Sequence, residues 1–245
     1  MRYVIPDIHG CAETLRSMLW DTLEINEKDI VYFLGDYIDR GPSSKLVLDL
    51  IMDAIKDGYD FRPTKGNHDD WLLQQYDEKF TDAVWQTWGG DETLESFGVR
   101  SVTEIPWYYI KFLRKLPNVI VEDDWVFSHA GLNFNRANPI EDATENDLLW
   151  NRVQGHPTKK QIGGRRSCMG HSPENLPTIK FHVKQGSCRL TLDNCVYDTT
   201  KDPEYGNLCC YCIDTNELHS IRRIDEVTWE PPKVKWKKAG WSTME

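Results

Sequence analysis

The chain has 245 residues, 40% of them hydrophobic and 28% charged, with a formal net charge of −10. That length accommodates one large domain or two small ones with a sizeable core, and the apolar share argues against a disordered chain. The acidic balance excludes a general nucleic-acid binder, which needs a basic excess to release counterions, but leaves room for a small anion gripped by a few arginines. No run approaches the roughly 18–20 apolar residues of a membrane span. The start, Met1-Arg2-Tyr3-Val4-Ile5-Pro6-Asp7, has no signal-peptide apolar region, so a soluble, cytoplasmic protein is expected.

In chain order, residues 2–6 read as a short strand ending in Asp7-Ile8-His9-Gly10. Residues 11–23 carry Leu15, Met18, Leu19 and Leu23 at helical spacing. The apolar run 29–34 reads as a buried parallel strand leading into Gly35-Asp36-Tyr37-Ile38-Asp39-Arg40-Gly41. Two carboxylates and a guanidinium at the end of a buried strand are costly to place without partners, although a solvated turn would also account for them. A helix is predicted from Ser43-Ser44 to Gly58, with Leu46, Val47, Leu50, Ile51 and Ile55 on its inner face. Residues 60–65 read as a third strand, followed by Gly66-Asn67-His68-Asp69. Strand, polar loop and helix thus repeat three times, the pattern of α/β architecture.

Residues 70–117 are predicted mostly helical, and their tryptophans are assigned to packing. Residues 119–121 and 125–128 read as a hairpin, ending in His129-Ala130-Gly131. Beyond about residue 160 the pattern reads as β-rich, with strands predicted over 179–183, 189–192, 208–213 and 219–224. Residues 1–228 are taken as one domain and 229–245 as a Pro- and Lys-rich tail. The seven cysteines are odd in number and match no zinc spacing; Cys209, Cys210 and Cys212 are read as buried reduced thiols on a strand.

The polar residues at strand ends are Asp7, His9, Asp36, Asn67, His68, His129 and His171, each in a Gly-flanked loop. Such a mixture of carboxylate, imidazole and amide without thiolate suits divalent ions such as Mn(II), Fe(II) or Zn(II). On an extended strand end Asp7 and His9 would project to one side. One histidine in such a place is most often structural; five loops of this kind point to a dinuclear metal centre.

Asp7-x-His9-Gly10, Gly35-Asp36-x-x-Asp39-Arg40-Gly41, Gly66-Asn67-His68-Asp69, His129-Ala130-Gly131 and Gly170-His171-Ser172-Pro173 together resemble the motif series of the phosphoprotein phosphatases. Within the calcineurin-like metallophosphoesterases, the compact form resembles the bacteriophage lambda type of Ser/Thr protein phosphatase. Trp88-Gly89-Gly90 with Thr93-Leu94 and Phe97-Gly98 also resembles a segment of the bacterial and phage branch. The resemblance spans residues 3 to about 173 and implies an α/β fold of two mixed sheets packed face to face and flanked by helices. It implies that Asp7, His9 and Asp36 hold one ion and that Asn67, His129 and His171 hold a second, with Asp36 bridging. Two divalent ions are expected, Mn(II) first, with Fe(II), Zn(II) or Ni(II) as substitutes.

The activity implied is hydrolysis of phosphomonoesters by in-line attack of a hydroxide held between the ions, with no covalent enzyme intermediate. Arg40 and Arg152 would clamp the phosphoryl oxygens; Arg152 rests on the match of Leu149-Trp150-x-Arg152. His68, paired with Asp39, would protonate the leaving group. Phosphoserine and phosphothreonine proteins are the first expected substrates, with phosphotyrosine beside them. Diadenosine tetraphosphate, cleaved symmetrically, is the alternative, since that branch carries nearly the same motif series, and RNA ends are a third expected substrate class. Trp107, Tyr108 and Tyr109 would serve either a base-stacking pocket or the core. Three positions depart from the pattern: Pro6 stands before Asp7, Asp69 replaces a usual Glu, and Leu192-Asp193-Asn194 stands where an Asp-Thr-Gly ending is expected.

Overall fold

The computed structural model describes residues 1–79, 82–152, 155, 157–200 and 202–232. The expected tail beyond residue 232, with its lysines, lies outside the described residues. Two sheets form the body. The first has the order β3-β2-β1-β8-β9, built from β1 (Arg2–Ile5), β2 (Ile30–Phe33), β3 (Asp60–Pro63), β8 (Asn207–Cys212) and β9 (Glu217–Arg222). The second has the order β4-β5-β6-β7, built from β4 (Val119–Val121), β5 (Trp125–Ser128), β6 (Arg166–Met169) and β7 (Arg189–Thr191). Strands β1, β2 and β3 are parallel, as are β5, β6 and β7, while β8 and β4 run antiparallel to their neighbours. Both sheets are therefore mixed.

Period-2 alternation assigns each strand face to a layer. Val4, Tyr32, Leu34, Trp125, Phe127, Cys168, Cys209 and Tyr211 meet between the sheets. Ile5, Val31, Phe33, Phe61, Leu208 and Cys210 point the other way, against a layer of helices. That layer comprises α1 (Ala12–Arg16, continued by a π-turn over Ser17–Thr22), α2 (Ser44–Lys56), α3 (Asn67–Glu78), α4 (Ala83–Trp85), α5 (Asp91–Phe97) and α6 (Trp107–Lys115). On the outer face of the second sheet, Val126 packs with Leu132, Phe134, Ile162 and Leu148, the last from α7 (Glu145–Leu149). The cysteine run is explained by its place: β8 is buried on both faces, and all its thiols are free.

Three local readings need correction. Residues 179–183 lie in a helix, α8 (Leu176–Lys184), not a strand. Asn175 caps it by accepting from the Thr178 amide at 2.8 Å, Pro177 opens its first turn, and Ile179 and Val183, four apart, share its buried face. In α2 the inner face is Val47, Leu48, Ile51 and Ala54, leaving Leu46 and Ile55 exposed. The helix is rotated so that Ser44 points inward, where its hydroxyl accepts from the Asp39 amide at 3.1 Å. Third, β1 ends at Ile5, and His9 has a positive φ of 45°, so Asp7 and His9 sit on a turn rather than an extended strand. Strand β6 was not foreseen, because Arg166 and Ser167 break its apolar run.

The helix carrying Trp107, Tyr108 and Tyr109 settles their place. Tyr109 is buried and donates its hydroxyl to Asp49 at 2.6 Å, while Trp107 and Tyr108 are exposed. Among the described residues no helix is long and apolar enough to cross a membrane.

Candidate active site

The parallel strands of both sheets deliver the motif loops from their carboxyl ends to one site. The segments after β1, β2, β3, β5 and β6 carry Asp7 and His9, Asp36 to Arg40, Asn67 and His68 (the first two residues of α3), His129, and His171. His9, Asp36, Asp39, Arg40 and His171 all have φ between 45° and 71°, a region that non-glycine residues seldom enter. Such concentrated backbone strain is a mark of function. The loops are also closely stacked: a Cβ on Gly66 would lie 2.2 Å from the Asp36 amide nitrogen, and one on Gly170 would lie 1.9 Å from Asp7 Oδ1.

Hydrogen bonds fix which ring nitrogens are free. His9 Nδ1–H donates to the Ile38 carbonyl at 2.8 Å, and His129 Nδ1–H to the Leu34 carbonyl at 2.8 Å, leaving both Nε2 atoms as lone pairs. His171 Nε2 lies 3.3 Å from the Trp150 carbonyl, which leaves Nδ1 as its lone pair. That Nδ1 stands 3.2 Å from His129 Nε2, and Asn67 Oδ1 is 2.9 Å and 2.7 Å from the two. Three lone-pair atoms thus converge with no proton between them. Asp36 Oδ2 lies midway, 3.4 Å from His9 Nε2 and 3.5 Å from His129 Nε2. Asp7 Oδ2 is 4.0 Å from His9 Nε2. Asp36 is shared by two clusters of potential ligands, one with His9 and His68 and one with Asp7 and His129.

The electrostatics agree. Burial raises the proton affinity of Asp7 strongly and moves Asp36 up to about 7, the latter opposed by Arg40 and the His68 amide. Burial lowers His9, His68 and His129, and takes His171 down to about 2. Neutral imidazoles facing buried carboxylates are a costly arrangement that a cation relieves. The residues present therefore fit two divalent ions, with the backbone carbonyls of Ile38, Leu34 and Trp150 orienting the imidazoles of His9, His129 and His171.

Around this donor set, His68 Nδ1 is 2.7 Å from Asp39 Oδ2, which also accepts from Trp85 Nε1 at 2.9 Å. Thr93 Oγ1 donates to Asp39 Oδ1 at 2.6 Å. Burial raises the proton affinity of Asp39 well above the ordinary carboxylate value, and the Thr93 hydroxyl, Arg40 and the Trp85 N–H oppose it. The guanidinium of Arg40 spans the site, with Nη1 2.6 Å from His9 Nε2 and Nη2 2.7 Å from His68 Nε2. Its backbone amide donates to the Gly89 carbonyl at 3.2 Å. Arg152 is exposed, donates to the His171 carbonyl at 3.3 Å, and lines the same cavity of about 50 Å³ as Asp7, Asp36, Asn67 and His68. All ten sequence-predicted residues thus gather at one place.

Four contributors were not among them. Asp69 is fully buried and accepts from the amides of Asp36, Tyr37 and Gly66 at 2.8–3.2 Å, tying the second loop to the third. Asp193, buried in the cavity wall, turns its carboxylate to the Cys195 amide at 2.7 Å. Tyr197 places its ring 4.2 Å from Arg40 Cζ, and Trp229 places its ring at 5.4 Å, a cation–π bracket on the guanidinium. Only Asp69 and Asp193 left a trace in the sequence, as departures from an expected pattern.

Gly170→Ala tests the close packing. The added methyl meets Asp7, whose oxygens accept from the His171 amide at 3.0 and 3.1 Å, so both candidate ligands shift. Divalent-ion affinity is expected to fall about 10–100-fold, read by titration calorimetry, with far-UV circular dichroism unchanged.

The profile of the calcineurin-like phosphoesterases matches residues 3–205. Serine/threonine-protein phosphatase 2 of Escherichia coli K12 is 30% identical over 217 residues, covering 86% of this chain and 92% of that protein. A symmetrical bis(5′-nucleosyl)-tetraphosphatase of Pectobacterium carotovorum is 30% identical over 132 residues, 53% of this chain and 43% of that protein. The chain thus matches less than half the length of that tetraphosphatase. A protein serine/threonine phosphatase from Saccharomyces cerevisiae superposes with a TM-score of 0.59 at 14% identity, over 92% of this chain and 80% of that one, a likeness of fold. With a profile match across most of its length and its motif loops gathered at the carboxyl ends of parallel strands from both sheets, the chain belongs to the calcineurin-like phosphoesterase family.

Proposed function

We propose that the protein is a dinuclear-metal phosphatase that removes phosphate from phosphoserine and phosphothreonine in proteins, and from phosphotyrosine as a further substrate. The observation that supports this most is the convergence of lone-pair donors on both sides of Asp36. Asp7, His9 and Asp36 would hold one ion, and Asn67, His129, His171 and Asp36 the other, Mn(II) being our first choice of metal. Bound divalent ions would acidify a water toward neutral pH and neutralise charge on the phosphoryl group.

The chain's own side chains do the rest. Arg40 presents two N–H groups into the site, and Arg152 a third donor from the opposite loop, a fork suited to phosphoryl oxygens. In the free protein His68 Nδ1–H donates to Asp39 and Nε2 accepts from Arg40; once a phosphoryl group draws the guanidinium away, Nε2 would carry the proton that passes to the leaving oxygen. Burial and then Arg40 lower the proton affinity of His68 in the free protein, and an arriving phosphate dianion raises it again by direct attraction.

Substrate choice is supported by the Escherichia coli serine/threonine phosphatase, which aligns along nearly its whole length. A second reading, symmetrical hydrolysis of diadenosine tetraphosphate, is favoured by relatives bearing that name. Offering the Mn(II)-loaded protein phosphopeptides, diadenosine tetraphosphate and 2′,3′-cyclic nucleotides side by side separates them. The proposal expects the highest kcat/KM on phosphopeptides. A clear excess on the dinucleotide would replace it with the second reading, and inactivity with every divalent ion would remove both.

A further inference from the structure

Asp39 is held by a part of the chain remote in sequence from every ligand loop. Trp85 ends α4 and Thr93 lies in α5, and both are fully buried, as is Asp39 itself. Trp85 Nε1 donates at 2.9 Å to Asp39 Oδ2, the oxygen that faces His68 Nδ1 at 2.7 Å. Thr93 Oγ1 donates at 2.6 Å to Oδ1, and between the two the Gly89 carbonyl accepts from the Arg40 amide at 3.2 Å. We propose that Trp85 and Thr93 are positioning residues for proton transfer, holding Asp39 in the orientation that presents His68 Nε2 to the phosphoryl site. The role rests on the reading of His68 as the proton donor.

The bonding capacity of Thr93 is spent entirely around Asp39. A hydroxyl has one proton to give and two lone pairs to offer. The proton goes to Asp39 Oδ1, while the lone pairs face the Asp39 amide at 2.9 Å and the Ser44 hydroxyl at 3.0 Å. Thr93 thus grips backbone and carboxylate of one residue, whose φ of 70° lies in a region that non-glycine residues seldom enter. Without those bonds the turn can relax and swing the carboxylate away from the imidazole. Trp85 fixes the other oxygen. With the indole and imidazole N–H groups both on Oδ2, the plane of the carboxylate is set, and that plane sets the tilt of the His68 ring. The chain between the two donors is shaped to admit the indole. A Cβ on Gly90 would lie 2.4 Å from the Trp85 ring, and Gly89 turns the backbone with a φ of 113°. Packing alone would explain a buried indole; it does not explain donors placed on both oxygens of one buried carboxylate. Misplacing a catalytic group by about 1 Å costs on the order of 10²-fold in rate, so such bonds bear directly on turnover.

The test compares wild type, Thr93→Val, Thr93→Ser and Trp85→Phe, all loaded with Mn(II), on glycerol 2-phosphate and nitrophenyl phosphate. Thr93→Val and Trp85→Phe should each lower kcat on glycerol phosphate about tenfold or more. They should lose far less on nitrophenyl phosphate, whose leaving group needs no proton. Thr93→Ser keeps the hydroxyl and should recover most of the rate. In a His68→Asn background neither substitution should slow glycerol phosphate further, because residues that act through one group are not additive. Equal losses on both substrates, losses that multiply in that background, or a Thr93→Ser variant as slow as Thr93→Val would overturn the proposal. The proton between His68 and Asp39 gives a reading without turnover. With isotope-labelled histidine, its resonance is identified by its absence from His68→Asn and should exchange faster with water in Thr93→Val than in wild type. Faster exchange supports the positioning role even where His68→Asn shows no dependence on the leaving group, a result that removes the acid reading alone. Unchanged exchange in Thr93→Val contradicts it.

Discussion

Asp36→Asn should lower kcat/KM by about 10³-fold or more, and the purified variant should retain at most one divalent ion where the parent is expected to hold two. The substitution isolates charge from shape. Asp36 has a φ of 53°, a conformation that asparagine tolerates better than most residues, and the amide keeps an oxygen to accept from the His68 N–H at 2.9 Å. What is lost is the carboxylate oxygen placed between His9 and His129. Stability of the metal-stripped chain should move the opposite way. Burial, partly offset by Arg40 and the His68 amide, raises the folded-state value of Asp36 to about 7. The ionised carboxylate therefore costs stability once pH exceeds the unfolded value near 4, and the cost grows until pH passes about 7. Above neutral pH, metal-stripped Asp36→Asn should melt higher than the metal-stripped parent, and with metal the order should reverse. Two retained ions, or a lower melting point in both conditions, would remove Asp36 from the bridging position.

His68→Asn should lower kcat on alkyl phosphates about 10²–10⁴-fold while costing far less on nitrophenyl phosphate, whose leaving group departs without a proton. Metal content should stay intact, because His68 turns Nδ1 to Asp39 at 2.7 Å and Nε2 to Arg40 at 2.7 Å. Burial and Arg40 set the proton affinity of His68 below that of an ordinary histidine. Since kcat/KM reports the free enzyme, its alkaline limb on alkyl phosphates should begin on the acid side of an ordinary histidine. That limb should vanish in His68→Asn. Equal losses on both substrates would take the acid role away from His68.

Much of this site was legible because each piece of it is local in sequence. A strand, a glycine-flanked turn and a polar side chain recur at Asp7, Asp36, Asn67, His129 and His171; parallel pairing sends three of these segments out of one sheet and two out of the other, and the packed sheets bring them together. The Trp88-Gly89-Gly90 segment was legible as a resemblance but not as a mechanism. The structure supplies the reason: Gly89 receives the Arg40 amide, while Trp85 and Thr93 on either side hold Asp39. Tyr197 and Trp229 left no signal, since a ring over a distant arginine imposes no spacing. They reach Arg40 because Arg223 ties their loops together and Asp225 anchors the segment to the amides of Glu13 and Thr14 at 3.0 and 2.9 Å. The misread 179–183 segment shows a different limit. Ile-Lys-Phe-His-Val alternates apolar and polar residues as a strand would, and only the cap at Asn175 and the spacing of Ile179 to Val183 favour a helix.

The most direct test of the account is a calorimetric titration of Mn(II) into the metal-stripped chain, with phosphatase activity followed on the same samples. Two ions per chain, with activity rising only as the second site fills, is the predicted result. A single ion per chain, or full activity in the metal-stripped protein, would contradict a centre built on both sides of Asp36.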